Sequence, residues 1–114
     1  VSAQPRPRKN QRLLRHPVQA SDTAVLKALQ VIPGVGPSIA RDLYALGLRR
    51  VEDLRGQDPQ KLYDRSNRIA GVVQDRCLLY VYRCAVYFAE TKRPDAEKLK
   101  WWNWKDAPAR ALKA

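Results

Sequence analysis

Apolar residues recur along this chain at helical spacing. Val25, Ala28, Leu29 and Ile32 fall at i, i+3, i+4 and i+7, the stripe of a helix with one buried face. Ser21 or Asp22 stands where a cap is needed, and Pro33-Gly34 interrupts the run. Pro37 suits the first position of a second helix, because its missing N–H costs nothing there. Ile39, Ala40, Leu43 and Leu46 give that helix its apolar face, and Gly47 is placed to end it in a left-handed conformation. Val51 and Leu54 mark a short third helix. Asp58-Pro59 opens a fourth, carrying Leu62, Tyr63 and Ile69 and ending at Gly71.

A fifth helix, read over residues 74–91, is apolar around most of its circumference, from Cys77 to Phe88. Such a helix belongs at the centre of a core or in an oligomer interface. Its polar stripe is Arg76, Arg83 and Glu90. Pro94-Asp95 starts a short sixth helix that runs into Trp101-Trp102-Asn103-Trp104. No segment alternates as a strand does. The pattern therefore predicts an all-α domain of about five helices plus a short Trp-rich C-terminal one.

Ile32-Pro33-Gly34-Val35 and Ile69-Ala70-Gly71-Val72 align at a constant offset of 37 residues, each at a helix–turn–helix junction. The repeat predicts two hairpins related by a pseudo-twofold axis, with Val73 replacing Gly36 in the second.

Charge changes this picture. The formal net charge of the 114-residue chain is +11, which points to a polyanionic partner. Residues 1–20 carry +5, residues 107–114 carry +2, and the intervening stretch carries +4. The chain divides accordingly into a basic arm expected to be unstructured (1–20), a helical domain (21–106) and a short basic tail (107–114). No apolar run reaches the length of a membrane span, and the Pro- and Arg-rich N-terminal stretch has no secretory pattern. Cys77 and Cys84 share a helix face about 10 Å apart, beyond the reach of a disulfide. Both are expected to be buried thiols, although Arg76 and Arg83 leave a reactive thiol open. A cytoplasmic setting follows as the default.

The chemistry lies in Pro33-Gly34-Val35-Gly36-Pro37-Ser38. Gly34 and Gly36 present bare backbone and are free to take positive φ. The next helix offers the unpaired N–H groups of Ser38 and Ile39, which with the helix dipole favour an anion such as phosphate. Arg41, one turn further on, adds a side-chain contact. Backbone donors read phosphate, not base sequence.

The stretch VIPGVGPSIARDLYAL resembles the helix-hairpin-helix motif of DNA repair and replication proteins. More broadly, residues about 22–106 resemble the small pathogenicity-locus helix-hairpin-helix family, through IPGVGPSIARDLYALGL, VEDLRGQDPQKLYD, DRCLLYVYRCAVYFAE and LKWWNWKD. The resemblance implies a tandem helix-hairpin-helix fold. It implies that the amides of Gly34, Gly36, Ser38 and Ile39 face a phosphate. It also implies that the carbonyls of Gln30, Ile32 and Val35 hold a monovalent cation, K⁺ or Na⁺, that bridges to the phosphate. In the second hairpin Gly71 and Arg76 take the corresponding part. The chain departs from the DNA-binding pattern at Ser38 and Asp42, where basic residues are common, and at Arg50, which stands where Ser or Thr usually caps the Val-Glu-Asp-Leu helix.

No nucleophilic triad, paired carboxylates or metal-ligand spacing accompanies these features, so a non-enzymatic protein is expected. The leading expectation is non-sequence-specific binding of duplex DNA, in repair or maintenance, with Arg65, Arg68 and Arg83 adding contacts. The alternative is a protein-interaction adaptor that uses the fifth helix or the tryptophan cluster as its contact surface.

Overall fold

Leu29, Ile32 and Val35 are all buried, so the core continues without a break from the end of the first helix through the turn that follows. The computed structural model describes residues 20–106. Within them are four α-helices: α1 (Ala20–Leu29), α2 (Pro37–Ala45), α3 (Pro59–Ala70) and α4 (Cys77–Glu90). Three 3-10 turns complete the set, at Val51–Leu54, Ala96–Leu99 and Trp101–Trp104. Among the described residues no strand occurs. The all-α class is as expected, but the third helix and the Trp-rich segment are 3-10 turns. Each is only four residues long, and so short a segment propagates poorly as α-helix. The basic arm and the tail fall outside the described residues, except Ala20, which already belongs to α1.

Local chemistry accounts for most boundaries. Asp58 Oδ1 accepts from the Gln60 N–H at 2.9 Å and Pro59 follows, a side-chain cap with proline at the first helical position. Gly71 closes α3 at φ 77°, its N–H donating to Asn67 O. Gly47 follows α2 at φ 96°. Ser21 and Asp22, expected ahead of the first helix, lie within α1. The fifth predicted helix starts late, at Cys77 in place of Gln74. Gln74 is held by α3, its N–H donating to Asn67 Oδ1 and its amide donating to Ser66 Oγ, and Asp75 Oδ1 then accepts the Cys77 N–H at 2.8 Å. Before Val51–Leu54 the missing Ser or Thr cap is replaced from the other side. Asp53 Oδ2 accepts the N–H groups of Arg49 and Arg50 at 3.0 and 3.1 Å.

Helix α4 is the centre of the packing. Leu78, Leu79, Val81, Tyr82, Cys84, Ala85, Val86 and Ala89 are buried in it, against α3 on one side and the 3-10 turns on the others. Each large aliphatic side chain buried in this way contributes about 1.5–3 kcal/mol. Its apolar circumference is therefore satisfied inside the domain. Tyr82, fully buried, donates to Ser66 Oγ at 3.1 Å, and burial pushes its hydroxyl up to about 12. Helix α1 packs on α2, and the Tyr44 hydroxyl of α2 donates to the Asp22 carboxylate of α1.

Candidate phosphate site at the first helical turn

The turn between α1 and α2 is shaped by a single left-handed residue. Gly34 has φ +86°, and the Val35 N–H closes back on Ile32 O at 3.0 Å. Gly36 does not share this conformation. It lies at φ −97° and ψ −168° as the cap residue of α2, in extended backbone that any residue adopts. A Cβ built on Gly36 would meet nothing within 4 Å. The fold itself therefore has no need of a glycine at this position.

The N-terminus of α2 is open. No side chain caps it, and Pro37 has no N–H to offer. The first helical bond runs from the Ala40 N–H to Gly36 O at 2.9 Å. The N–H groups of Gly34, Gly36, Ser38 and Ile39 make no hydrogen bond to another described residue. Ser38 is exposed on the first turn, and Arg41 is exposed one turn on, with no hydrogen bond or ion pair among the described residues. The expected donors thus have no partner among the described residues. Of the three carbonyls expected to hold a cation, Ile32 O accepts the Val35 N–H, while those of Gln30 and Val35 accept none among the described residues.

The second turn is built differently. Gly71 shares the left-handed conformation of Gly34, but its N–H is spent on Asn67 O at 2.8 Å. The N-terminus of α4 is already occupied by the Asp75 carboxylate, whose pKa the Cys77 N–H lowers. The aligned positions also differ in burial: Ile32 is 1% exposed, whereas Ile69 is 56% exposed. Val72 and Val73 are exposed beside it and, with Asn67, Arg68 and Gly71, line a shallow apolar depression of about 300 Å³. Gly71 and Arg76, expected at a second phosphate site, are thus held within the chain.

Arg76 is engaged at the far end of the described chain. Its Nε and Nη2 donate to the two carboxylate oxygens of Asp106 at 2.7 and 3.0 Å. Arg83 Nη2 donates to the same carboxylate at 2.9 Å, and Arg83 Nη1 to Trp104 O at 2.7 Å. The two guanidiniums hold the Asp106 carboxyl well below the usual carboxylate range. Arg65 reaches Leu46 O at 2.9 Å. Of the basic side chains expected to contact DNA, Arg41 and Arg68 have no such partner among the described residues. Asp106 carried no local sign of its role, since its partners lie 30 and 23 residues away.

The clamp fastens residues 95–106 over α4 as a strap. Trp104 Nε1 donates to Lys98 O at 2.7 Å, and its ring lies 5.4 Å from that of Tyr87. Trp101, half-buried, leans on the first turn: its Cδ1 is 3.0 Å from where a Gly34 Cβ would stand. Trp102 packs edge-on against Trp101 at 5.7 Å and remains 48% exposed.

The cysteines differ from expectation in part. Cys84 is buried, with its thiol pushed up to about 11 by that burial. Cys77 is exposed, and the hydrogen bond with Asp75 raises its pKa. A raised pKa is the opposite of what an activated thiol needs. No group of three or more His, Cys, Asp or Glu side chains suited to a metal occurs among the described residues. No helix there is long and apolar enough to cross a membrane.

Residues 22–110 match the family described as pathogenicity locus. The chain is also 34% identical over 86 residues to the mitomycin resistance protein McrB of Streptomyces lavendulae, a match that covers 74% of this chain and 76% of that protein. No solved structure matches it.

Proposed function

This chain belongs to the pathogenicity-locus family, and we propose that it binds duplex DNA without sequence specificity, α1 and α2 forming a helix-hairpin-helix that grips a backbone phosphate. The observation that carries this reading is the set of unpartnered N–H groups at Gly34, Gly36, Ser38 and Ile39. They lie before and within the first turn of α2, where the dipole is positive and no side chain caps the helix. The open space at Gly36 lets a phosphate approach the backbone closely. Arg41 and Arg68 add free positive charge, and residues 1–20 add +5.

The helices α3 and α4 form the second half of a tandem arrangement that serves as support. Asp75 occupies the place its phosphate would take. The carbonyls of Gln30, Ile32 and Val35 would hold K⁺ or Na⁺ in the first hairpin. Two of the three accept no hydrogen bond among the described residues, and a cation there supplies positive charge beside the phosphate. The proposed role is binding, not catalysis, in DNA repair or maintenance in the cytoplasm. The adaptor reading has one observation in its favour, the exposed Val72 and Val73 that line the depression.

The test is a salt titration of binding to a random-sequence duplex. With three or four phosphates contacted, log affinity falls against log salt with a slope of about −3 to −4, from roughly −0.9 per phosphate. A slope near zero, or no binding at low salt, overturns the DNA reading. Capture of a protein ligand by the depression, lost on Val73→Asp, would then favour the adaptor.

A further inference from the structure

Trp102 is the only aromatic side chain among the large hydrophobics exposed on the described residues. It is also held in place. Its ring packs edge-on against Trp101 at 5.7 Å, and Trp101 in turn lies on the Gly34 backbone. The strap that carries both rings is pinned at its end by Asp106 on Arg76 and Arg83. The Trp102 indole therefore stands one ring beyond Gly34, in the turn that leads into α2. At the end of the strap Arg76 and Arg83 share the single Asp106 carboxylate, which leaves net positive charge there for an anionic partner. Lys105 has no hydrogen bond or ion pair among the described residues, whereas the nearby carboxylates are engaged: Glu97 with Lys100 at 3.0 Å, Asp95 in capping the Glu97 N–H, and Asp106 in the arginine clamp.

Resting on the phosphate reading of the first turn, we infer that Trp102 stacks on an unpaired nucleobase, so that the preferred ligand is duplex DNA with a single-stranded end. The chemistry is direct. A phosphate held by backbone amides fixes the strand, and an adjacent indole face takes a base that has left the stack. Every base has a π-face, so stacking tolerates any sequence. A base still paired within an intact duplex keeps its faces against its neighbours and offers none to Trp102. The preference thus separates a single-stranded overhang, whose bases are free to swing onto the indole, from paired duplex.

The experiment compares three labelled DNAs of one sequence by fluorescence anisotropy: a blunt duplex, the duplex with a short overhang, and the same overhang built from abasic sugars. The abasic strand keeps the phosphates and removes the bases. The parent should bind the normal overhang about tenfold tighter than the abasic one, the scale of one base–aromatic stack. Its tryptophan emission should be quenched by the normal overhang only. Trp102→Ala should remove the preference and leave blunt-duplex affinity unchanged, while Trp102→Phe keeps most of it. Because Trp102 is exposed, both variants should retain the parent's circular dichroism. Equal affinity of the parent for the normal and abasic overhangs overturns the stacking role, as does a preference that survives in Trp102→Ala. In either case, intact binding to the blunt duplex leaves the phosphate reading standing. Failure of the parent to bind any of the three DNAs overturns both.

Discussion

Trp101 and Gly34 are fitted to each other: the indole Cδ1 lies 3.0 Å from the point a Cβ on Gly34 would occupy, and Gly34 holds φ +86°. Two independent constraints therefore demand glycine here, one from the backbone and one from the strap. Gly34→Ala should destabilise the domain by about 1–3 kcal/mol, from positive φ together with displacement of the indole. Thermal unfolding measures the loss, and a change in tryptophan emission shows that the ring has moved. Trp101→Ala relieves only the contact, so the double variant should be less destabilised than the sum of the two single ones.

Gly36 is the opposite case and gives the cleaner probe of function. Its backbone is extended and its surroundings are open. Gly36→Val should cost about 1 kcal/mol or less, the scale of a lost glycine cap. The branched side chain would nonetheless stand where a phosphate must come close. DNA affinity should fall while circular dichroism and melting stay near those of the parent. Val73→Gly in the second turn is the control, with little expected effect on binding. Undiminished binding by folded Gly36→Val would mean that the first turn is not the phosphate site.

Asp106 joins the end of the strap to α4 through Arg76 and Arg83. Asp106→Asn should lower the melting temperature and expose the tryptophans, seen as a red shift in emission. The pH dependence follows from the lowered carboxyl pKa. A carboxylate more acidic when folded than unfolded adds stability above its ordinary pKa, and that stability is lost as pH falls through the folded value. The gap in melting temperature between parent and variant should therefore narrow on strong acidification.

Asp42 behaves in the reverse sense. It is half-buried in α2, and desolvation raises its pKa. A carboxyl less acidic when folded than unfolded costs stability above its folded pKa, and the cost is relieved as pH falls toward the ordinary aspartate value. Asp42→Asn should raise the melting temperature at neutral pH, and the advantage should vanish below the ordinary aspartate range. Removing a negative charge beside Arg41 should also strengthen DNA binding. Equal melting curves at neutral pH would show that burial imposes no cost at Asp42.

Much of the fold is determined by the sequence alone, because local rules act over one or two turns of helix. The spacing of Leu29, Ile32, Leu43 and Leu46 marks buried faces. The pair Asp58-Pro59 opens α3, Gly47 takes the left-handed conformation expected of it, and Gly71 ends α3 as expected. The donors of the first turn were legible for the same reason: a proline at the first helical position and two glycines ahead of it describe an open helix end. Other features were decided only by tertiary structure. Sequence spacing does not show that Asp75 fills the end of α4 while α2 stays empty, although both helices follow a glycine turn. It does not show that Asp106 pairs with both Arg76 and Arg83, or that Trp101 rests on Gly34, because these partners lie 23 to 67 residues apart along the chain. Nor does a glycine codify its own φ: Gly34 and Gly36 look alike in the chain, and they differ because one must turn the backbone and the other must lead it straight into α2.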